Sequence, residues 1–333
     1  MTRVAVFGAG SWGTAFSLVL ADAGNDVTLW ARRKELSDGI NEERQNVDYL
    51  PGIPMPPAIR ATHDPQRALD GASVVVLAVP SQSLRSNLEH WADAIPPDAL
   101  VMSLMKGVEV GTAKRMSEVI QEVGHVGSER VAVLSGPNLS KEIAERQPAA
   151  SVIASVDEAV AVRLQQLCHT AAFRPYTLTD VVGCELGGAT KNVIALAVGM
   201  AAGLGFGDNA RATVITRGLA ETARLGAALG ADPYTFSGLA GLGDLVATCS
   251  SPLSRNRQFG EQLGLGKSVE EVAAATRQVA EGVKSCESIR DLASRHGVEV
   301  PIIDHVAALV RGDVKPEEML VRLISRAAKA ERD

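Results

Sequence analysis

Short apolar runs rich in β-branched residues recur along the first half of the chain: RVAVFG from Arg3, DVTLWA from Asp26, SVVVLAVP from Ser73, ALVMSLM from Ala99, RVAVLSGP from Arg130 and ASVIAS from Ala150. Helix-like stretches such as SQSLRSNLEHWADAI separate them. Runs of this length without strict alternation suit strands buried on both faces, and strand–helix alternation predicts a mainly parallel sheet covered by helices. The proline-rich stretch YLPGIPMPPAI, from Tyr49 to Ile59, interrupts the pattern. It reads as a loop placed at the edge of a cofactor site.

From about Cys184 the texture changes, and Ala, Leu and Glu dominate with almost no strand signal. Long periodic pieces, ELGGATKNVIALAVGMAAG, NARATVITRGLAETARLGAALG and GVKSCESIRDLASRHG, are broken by Gly-rich joints such as GLGFGD and SGLAGLGDL. The prediction is an α/β Rossmann-type N-terminal domain over 1–185 followed by an all-α C-terminal domain over 186–333. A chain of 333 residues has room for both.

Composition narrows the function. With 46% hydrophobic and 22% charged residues the chain reads as a folded globular protein, and a net charge of −6 with 4% aromatics excludes a general nucleic-acid binder. No uncharged apolar run reaches the roughly twenty residues of a membrane span, so membrane insertion is not expected. The start MTRVAVF lacks the pattern of a secretory leader, and Cys168, Cys184, Cys249 and Cys286 are spaced without a C-x-x-C pair. A cytoplasmic protein with reduced thiols and no metal site is expected. The segment GLGKS resembles the end of a phosphate-binding loop, but position 261 is Glu where Gly is required. Neither H-E-x-x-H nor G-x-S-x-G occurs, so zinc and serine hydrolases lose their footing.

The strongest chemistry lies at the N-terminus. Gly8, Gly10 and Gly13 form G-x-G-x-x-G between the strand VAVF and a helix. In a dinucleotide site the first glycine makes the turn, the second admits the pyrophosphate and the third lets helix and strand pack. Where an NAD-selective site carries an acid at the end of the second strand, this chain has Arg32 and Arg33. Guanidinium forks suit a 2′-phosphate, so NADP(H) is the favoured cofactor, with NAD(H) also accommodated. In the second half, Lys191 stands at the start of an otherwise apolar helix, where burial would draw its pKa from about 10.4 toward neutrality and equip it for proton transfer. A lysine snorkelling to solvent is the alternative.

Seven segments in order, GAGSWGTA, SLMKGVE, SGPNLSKEIA, GATKNV, GLAGLGDL, SRNRQFG and VAEGV, resemble the bacterial NAD(P)-dependent glycerol-3-phosphate dehydrogenases over nearly the whole chain. The resemblance implies interconversion of dihydroxyacetone phosphate and sn-glycerol 3-phosphate for glycerophospholipid synthesis. It implies Lys191 as the proton-transfer residue, and substrate contacts from Lys106, Gly136, Asn138, Lys191, Asp244, Ser254, Arg255 and Asn256. Cofactor contacts would come from Ser11, Trp12, Arg32, Arg33, Lys106, Ser140, Arg255, Val279 and Glu281, beside the three glycines. Position 138 departs from the family pattern, which has Ser or Thr there. Two other readings stay open at this point: a dehydrogenase of the same architecture acting on another hydroxy acid or sugar phosphate, and a non-catalytic NADP(H) sensor. The abundance of apolar helices suggests a homodimer.

Overall fold

In the computed structural model, which describes residues 1–275, 280–316 and 318, the first half forms one eight-stranded sheet in the order β3-β2-β1-β4-β5-β6-β7-β8. The strands are β1 (Arg3–Phe7), β2 (Asp26–Trp30), β3 (Ile59–Thr62), β4 (Val74–Leu77), β5 (Leu100–Ser103), β6 (Val131–Ser135), β7 (Ala149–Ser155) and β8 (Phe173–Leu178). Pairing is parallel from β3 through β6, β7 runs antiparallel to β6, and β8 is parallel to β7. The helices α1 (Ser11–Asp22), α2 (Lys34–Glu43), α3 (Pro65–Leu69), α4 (Leu84–Trp91), α5 (Met116–Gly124), α6 (Ser140–Ala144) and α7 (Glu158–Cys168) connect these strands.

The period of two along each strand splits the core between the faces. Val4, Val6, Val74, Val76 and Met102 pack with Phe16 of α1 on one side, while Ala5, Phe7, Val75, Leu77 and Val101 pack with Leu84, Leu88 and Ile120 on the other. Every residue of β4, β5 and β6 is buried, which is why these strands read as unbroken apolar runs. The two strands absent from the sequence reading, β3 and β8, are the two edges of the sheet. Their burial alternates, with Arg60, Arg174 and Tyr176 facing solvent, and β8 contains Pro175, which an edge strand tolerates. The proline-rich stretch therefore ends in a strand rather than running on as a loop.

The second half is built around α8 (Val181–Gly203), whose residues from Gly183 to Ala201 are buried. Around it pack α9 (Asp208–Ala228), α10 (Asp244–Ser250), α11 (Arg255–Gly264), α13 (Glu281–Arg295) and α14 (Pro301–Val310), with α12 (Val269–Ala275) beside α11. Long and apolar enough for a membrane, α8 is a core helix, 89% buried over its most apolar window. Glycines on both helices decide how closely α11 approaches: a methyl at Gly199 of α8 would lie 2.0 Å from the Arg257 carbonyl oxygen, and one at Gly260 of α11 would lie 2.1 Å from that of Leu196. A side chain at either position must push the helices apart. The change of texture expected near residue 185 falls in the second turn of α8.

Candidate active site

The turn after β1 is shaped by backbone contact. Gly8 has φ +120°, and a Cβ there would sit 2.5 Å from the Ala78 carbonyl oxygen; one on Gly13 would sit 1.9 Å from the carbonyl oxygen of Gly8. A Cβ on Gly10 would meet nothing within 4 Å, which leaves the approach to the start of α1 clear. Gly10 caps that helix without a side chain, and its first turn carries no acid, so its amide donors and dipole suit an anion. The buried indole N–H of Trp12 is a further donor without a partner among the described residues. Asn46 donates to the Ala9 carbonyl and to Thr14 Oγ1, both at 2.9 Å, and Ser11 Oγ donates to the Tyr49 carbonyl at 2.9 Å. These bonds hold the segment from Asn46 to Tyr49 against the turn.

The sheet order reverses between β1 and β4, the position where open α/β sheets bind ligands outside the carboxyl ends of their strands. Lys106, just past β5, and Gly136, just past β6, lie along that edge. Lys106 Nζ donates to the Gly136 carbonyl at 3.0 Å and to Asp244 Oδ2 at 2.5 Å. From the helical side, Lys191 Nζ donates to Asp244 Oδ1 and, at 2.7 Å, to Thr248 Oγ1. One carboxylate, fully buried at the start of α10, thus joins two ammonium groups from opposite halves. Burial lowers the pKa of Lys191 to about 8; Asp244 pulls it up and the Lys106 charge pushes it down. A buried amine that titrates near neutrality can hold a proton and release it.

In the helical half, Ser254 caps α11 by accepting from the Arg257 amide at 3.3 Å, and Asn256 donates to Asn192 Oδ1 at 2.9 Å while accepting from the Gly282 amide at 2.9 Å. Glu281, at the start of α13, accepts from Ser81 Oγ at 2.8 Å, so the helical half meets the sheet beyond β4. Arg255 is exposed beside them.

Two family models divide the chain between them. The N-terminal model of NAD-dependent glycerol-3-phosphate dehydrogenase matches residues 3–161, and the C-terminal model matches 180–321. The chain belongs to this family. A glycerol-3-phosphate dehydrogenase [NAD(P)+] of Streptomyces avermitilis is 63% identical over 330 residues, covering 99% of this chain and 98% of the relative. One from Thermobifida fusca is 61% identical over 333 residues, covering 100% and 99%. The crystal structure of glycerol-3-phosphate dehydrogenase from Coxiella burnetii superposes with a TM-score of 0.93 at 37% identity, covering 98% of this chain and 99% of that one.

Placed on this glycerol-3-phosphate dehydrogenase fold, the residues singled out from sequence fall into three groups. Gly8, Gly10, Ser11, Trp12 and Gly13 form the turn, with Ser140 at the start of α6, which packs on α1. Lys106, Gly136, Lys191 and Asp244 meet in one hydrogen-bonded cluster, while Ser254, Arg255 and Asn256 stand at the start of α11 and Glu281 at the start of α13. Arg32 and Arg33 lie apart, exposed between β2 and α2, where Arg33 is ion-paired with Asp48 at 2.5 Å. Asn138 Oδ1 accepts from Ser151 Oγ at 2.5 Å, and its buried Nδ2 has no partner among the described residues. Val279 lies outside the described residues. Two local details differ from the sequence reading. Lys191 sits nearly three turns into α8 rather than at its start, and GLAGLGDL is a π-helical turn, partly buried, running into α10 rather than a loose joint. Thr248 and Ser81 were missed; Thr248 stands four residues after Asp244 on the same helix, a spacing that was available in the sequence.

Proposed function

We propose that the chain catalyses the reversible NAD(P)H-dependent reduction of dihydroxyacetone phosphate to sn-glycerol 3-phosphate, with Lys191 as proton donor and acceptor and NADP(H) as the preferred cofactor. The observation that carries this reading is the buried Lys191–Asp244–Lys106 cluster at the carboxyl edge of a sheet whose first turn leaves the start of α1 open at Gly10. When bound, the nicotinamide cofactor exchanges hydride with the substrate carbon. Lys191 delivers a proton from Nζ to the carbonyl oxygen in reduction and accepts it in oxidation, while Asp244 and Thr248 fix the direction of Nζ. Lys106, Gly136 and Asn138 from the sheet half, with Ser254, Arg255 and Asn256 from the helical half, hold the phosphate and hydroxyls. Ser11, Trp12 and the glycine turn take the pyrophosphate region and Arg32 and Arg33 the adenosine end, while Lys106, Ser140, Arg255, Val279 and Glu281 supply further cofactor contacts. In this reading 1–185 is the cofactor domain and 186–333 the substrate domain of a cytoplasmic homodimer that feeds glycerophospholipid synthesis.

The test follows loss of NADPH absorbance with dihydroxyacetone phosphate, alongside NADH. Turnover with both and a lower KM for NADPH is expected. Activity confined to a keto acid overturns the substrate assignment, and an inert preparation overturns the enzyme.

A further inference from the structure

Lys106 lies two residues before a loop that both halves hold. Its neck is closed by an antiparallel bridge between Val108 and Arg115, with the Glu109 amide donating to the Lys114 carbonyl at 2.9 Å. On the sheet side, Gln82 Nε2 donates to the Val108 carbonyl at 2.8 Å, and Arg85 grips both Glu109 oxygens at 2.9 Å. On the helical side, Ser288 Oγ donates to the Val108 carbonyl at 2.7 Å, and Arg295 donates to the carbonyls of Thr112 at 2.6 Å and Gly111 at 3.0 Å. Val108 and Ala113 belong to the apolar core of the helical half.

The buried fastening is Glu185. This carboxylate, six residues before Lys191 on α8, accepts from Arg115 Nη1 at 2.6 Å, from the Ser117 amide at 2.7 Å and from Ser117 Oγ at 2.7 Å. Burial works against its charge, and Arg115 with the two Ser117 donors opposes that effect. A carboxylate so deep is retained only with its donors in place.

We infer that Glu185 is a positioning residue for the substrate site: a closed ring of contacts leaves α8 at Glu185, passes through Arg115, the Val108 bridge, Lys106 and Asp244, and returns to α8 at Lys191. The inference rests on the reading that Lys106 and Lys191 serve the phosphorylated ketone. Fixing Arg115 fixes the neck, and the neck sets where the Lys106 ammonium stands relative to Asp244. Neither Glu185 nor Arg115 contacts the cluster directly.

The test compares Glu185→Gln, Ser117→Ala and Lys106→Met. For Glu185→Gln, the KM for dihydroxyacetone phosphate rises about tenfold, the scale of one charge-assisted hydrogen bond lost from alignment. The Kd for adenosine 2′,5′-bisphosphate, which takes only the adenosine end, stays unchanged. The limb of the pH profile due to Lys191 moves to higher pH, because Asp244 is then less engaged by Lys106; among the described residues, Asp244 and Cys249 on α10 and Lys106 are the titratable groups facing that amine. Ser117→Ala, which keeps the charge pair, shifts both readouts in the same direction by less. A lower melting temperature with KM and pH limb unmoved in Glu185→Gln overturns the inference and leaves only a stitch between the halves. If Glu185→Gln does not fold, Ser117→Ala decides: a raised KM supports the ring, and an unchanged KM overturns it. Lys106→Met isolates the underlying reading, because an unchanged KM there sinks the assignment of Lys106 whatever Glu185 does.

Discussion

The glycine turn and the lysine cluster are built from different materials. At the glycine turn the chain works with backbone, within a few consecutive residues, and the charged side chains near it are exposed: those of Arg33 and Asp48 are 50% and 46% exposed. At the lysine cluster it works with side chains that are 138 residues apart in sequence for Lys106 and Asp244, with Lys191 10% and Asp244 1% exposed. Exposed ion pairs contribute about 0–1 kcal/mol, whereas unpairing one partner of a buried pair costs about 3–5 kcal/mol. The glycine turn should therefore tolerate loss of a nearby single charge but not added atoms, whereas the lysine cluster should not tolerate a change that leaves one of its charges unpaired.

The largest test of that contrast is Lys191→Ala. Turnover should fall about a thousandfold, the range for losing a positioned acid–base group. NADPH affinity, read by fluorescence titration, should stay within about twofold because the turn is untouched. The variant should also fold, since Asp244 keeps Lys106 as its partner. Near-normal turnover would remove Lys191 from the reaction.

Gly13→Ala probes the other end by adding one methyl. That methyl would lie 1.9 Å from the Gly8 carbonyl oxygen, so α1 must withdraw from the turn. Overpacking of this kind costs up to about 3 kcal/mol, and NADPH affinity should drop by up to about a hundredfold. Unchanged affinity would mean that the helix start is not the cofactor seat.

The third test sharpens the chemistry of the cluster with pH. Because burial brings Lys191 down to about 8, the amine is protonated below that value and neutral above it. Reduction needs the protonated form, so its kcat/KM should fall about tenfold per unit as pH rises past 8. Oxidation needs the neutral amine and should climb toward the same pH and then level off. Parallel limbs in the two directions would assign the titration to another group.

How much of this was readable in advance follows the same division. β1, α1 and β2 were legible because one short segment carries the strand, the turn and the helix, and because strands buried on both faces leave continuous apolar runs. The edge strands β3 and β8 were not, since Arg60, Arg174 and Tyr176 face water and break the apolar runs, and Pro175 argues against a strand from local chemistry alone. In the cluster, the isolated lysine on an apolar helix was visible, but no local pattern pairs residue 191 with 244 or 106. That pairing depends on packing α10 against α8 and on the carboxyl edge of β5 facing both; only the family resemblance put those residues on one list. The buried Glu185 gave no signal for a similar reason, because its donors lie on the loop and helix after β5.

The smallest expected effect separates Arg32 and Arg33, the two arginines proposed for the adenosine end. Arg32 has no ion pair among the described residues, whereas Arg33 already spends part of its fork on Asp48, which raises its pKa through that contact. A 2′-phosphate meeting Arg33 must compete with that carboxylate, while one meeting Arg32 meets a hydrated but unpaired guanidinium. Arg32→Ala should therefore weaken NADPH about fivefold and NADH hardly at all, and Arg33→Ala should have the lesser effect, both shrinking as salt screens the exposed charges. Fluorescence titration of both cofactors at low and high ionic strength reads this difference. Equal losses for NADPH and NADH would mean that the guanidinium planes stack on adenine and would overturn their proposed role in choosing the 2′-phosphate.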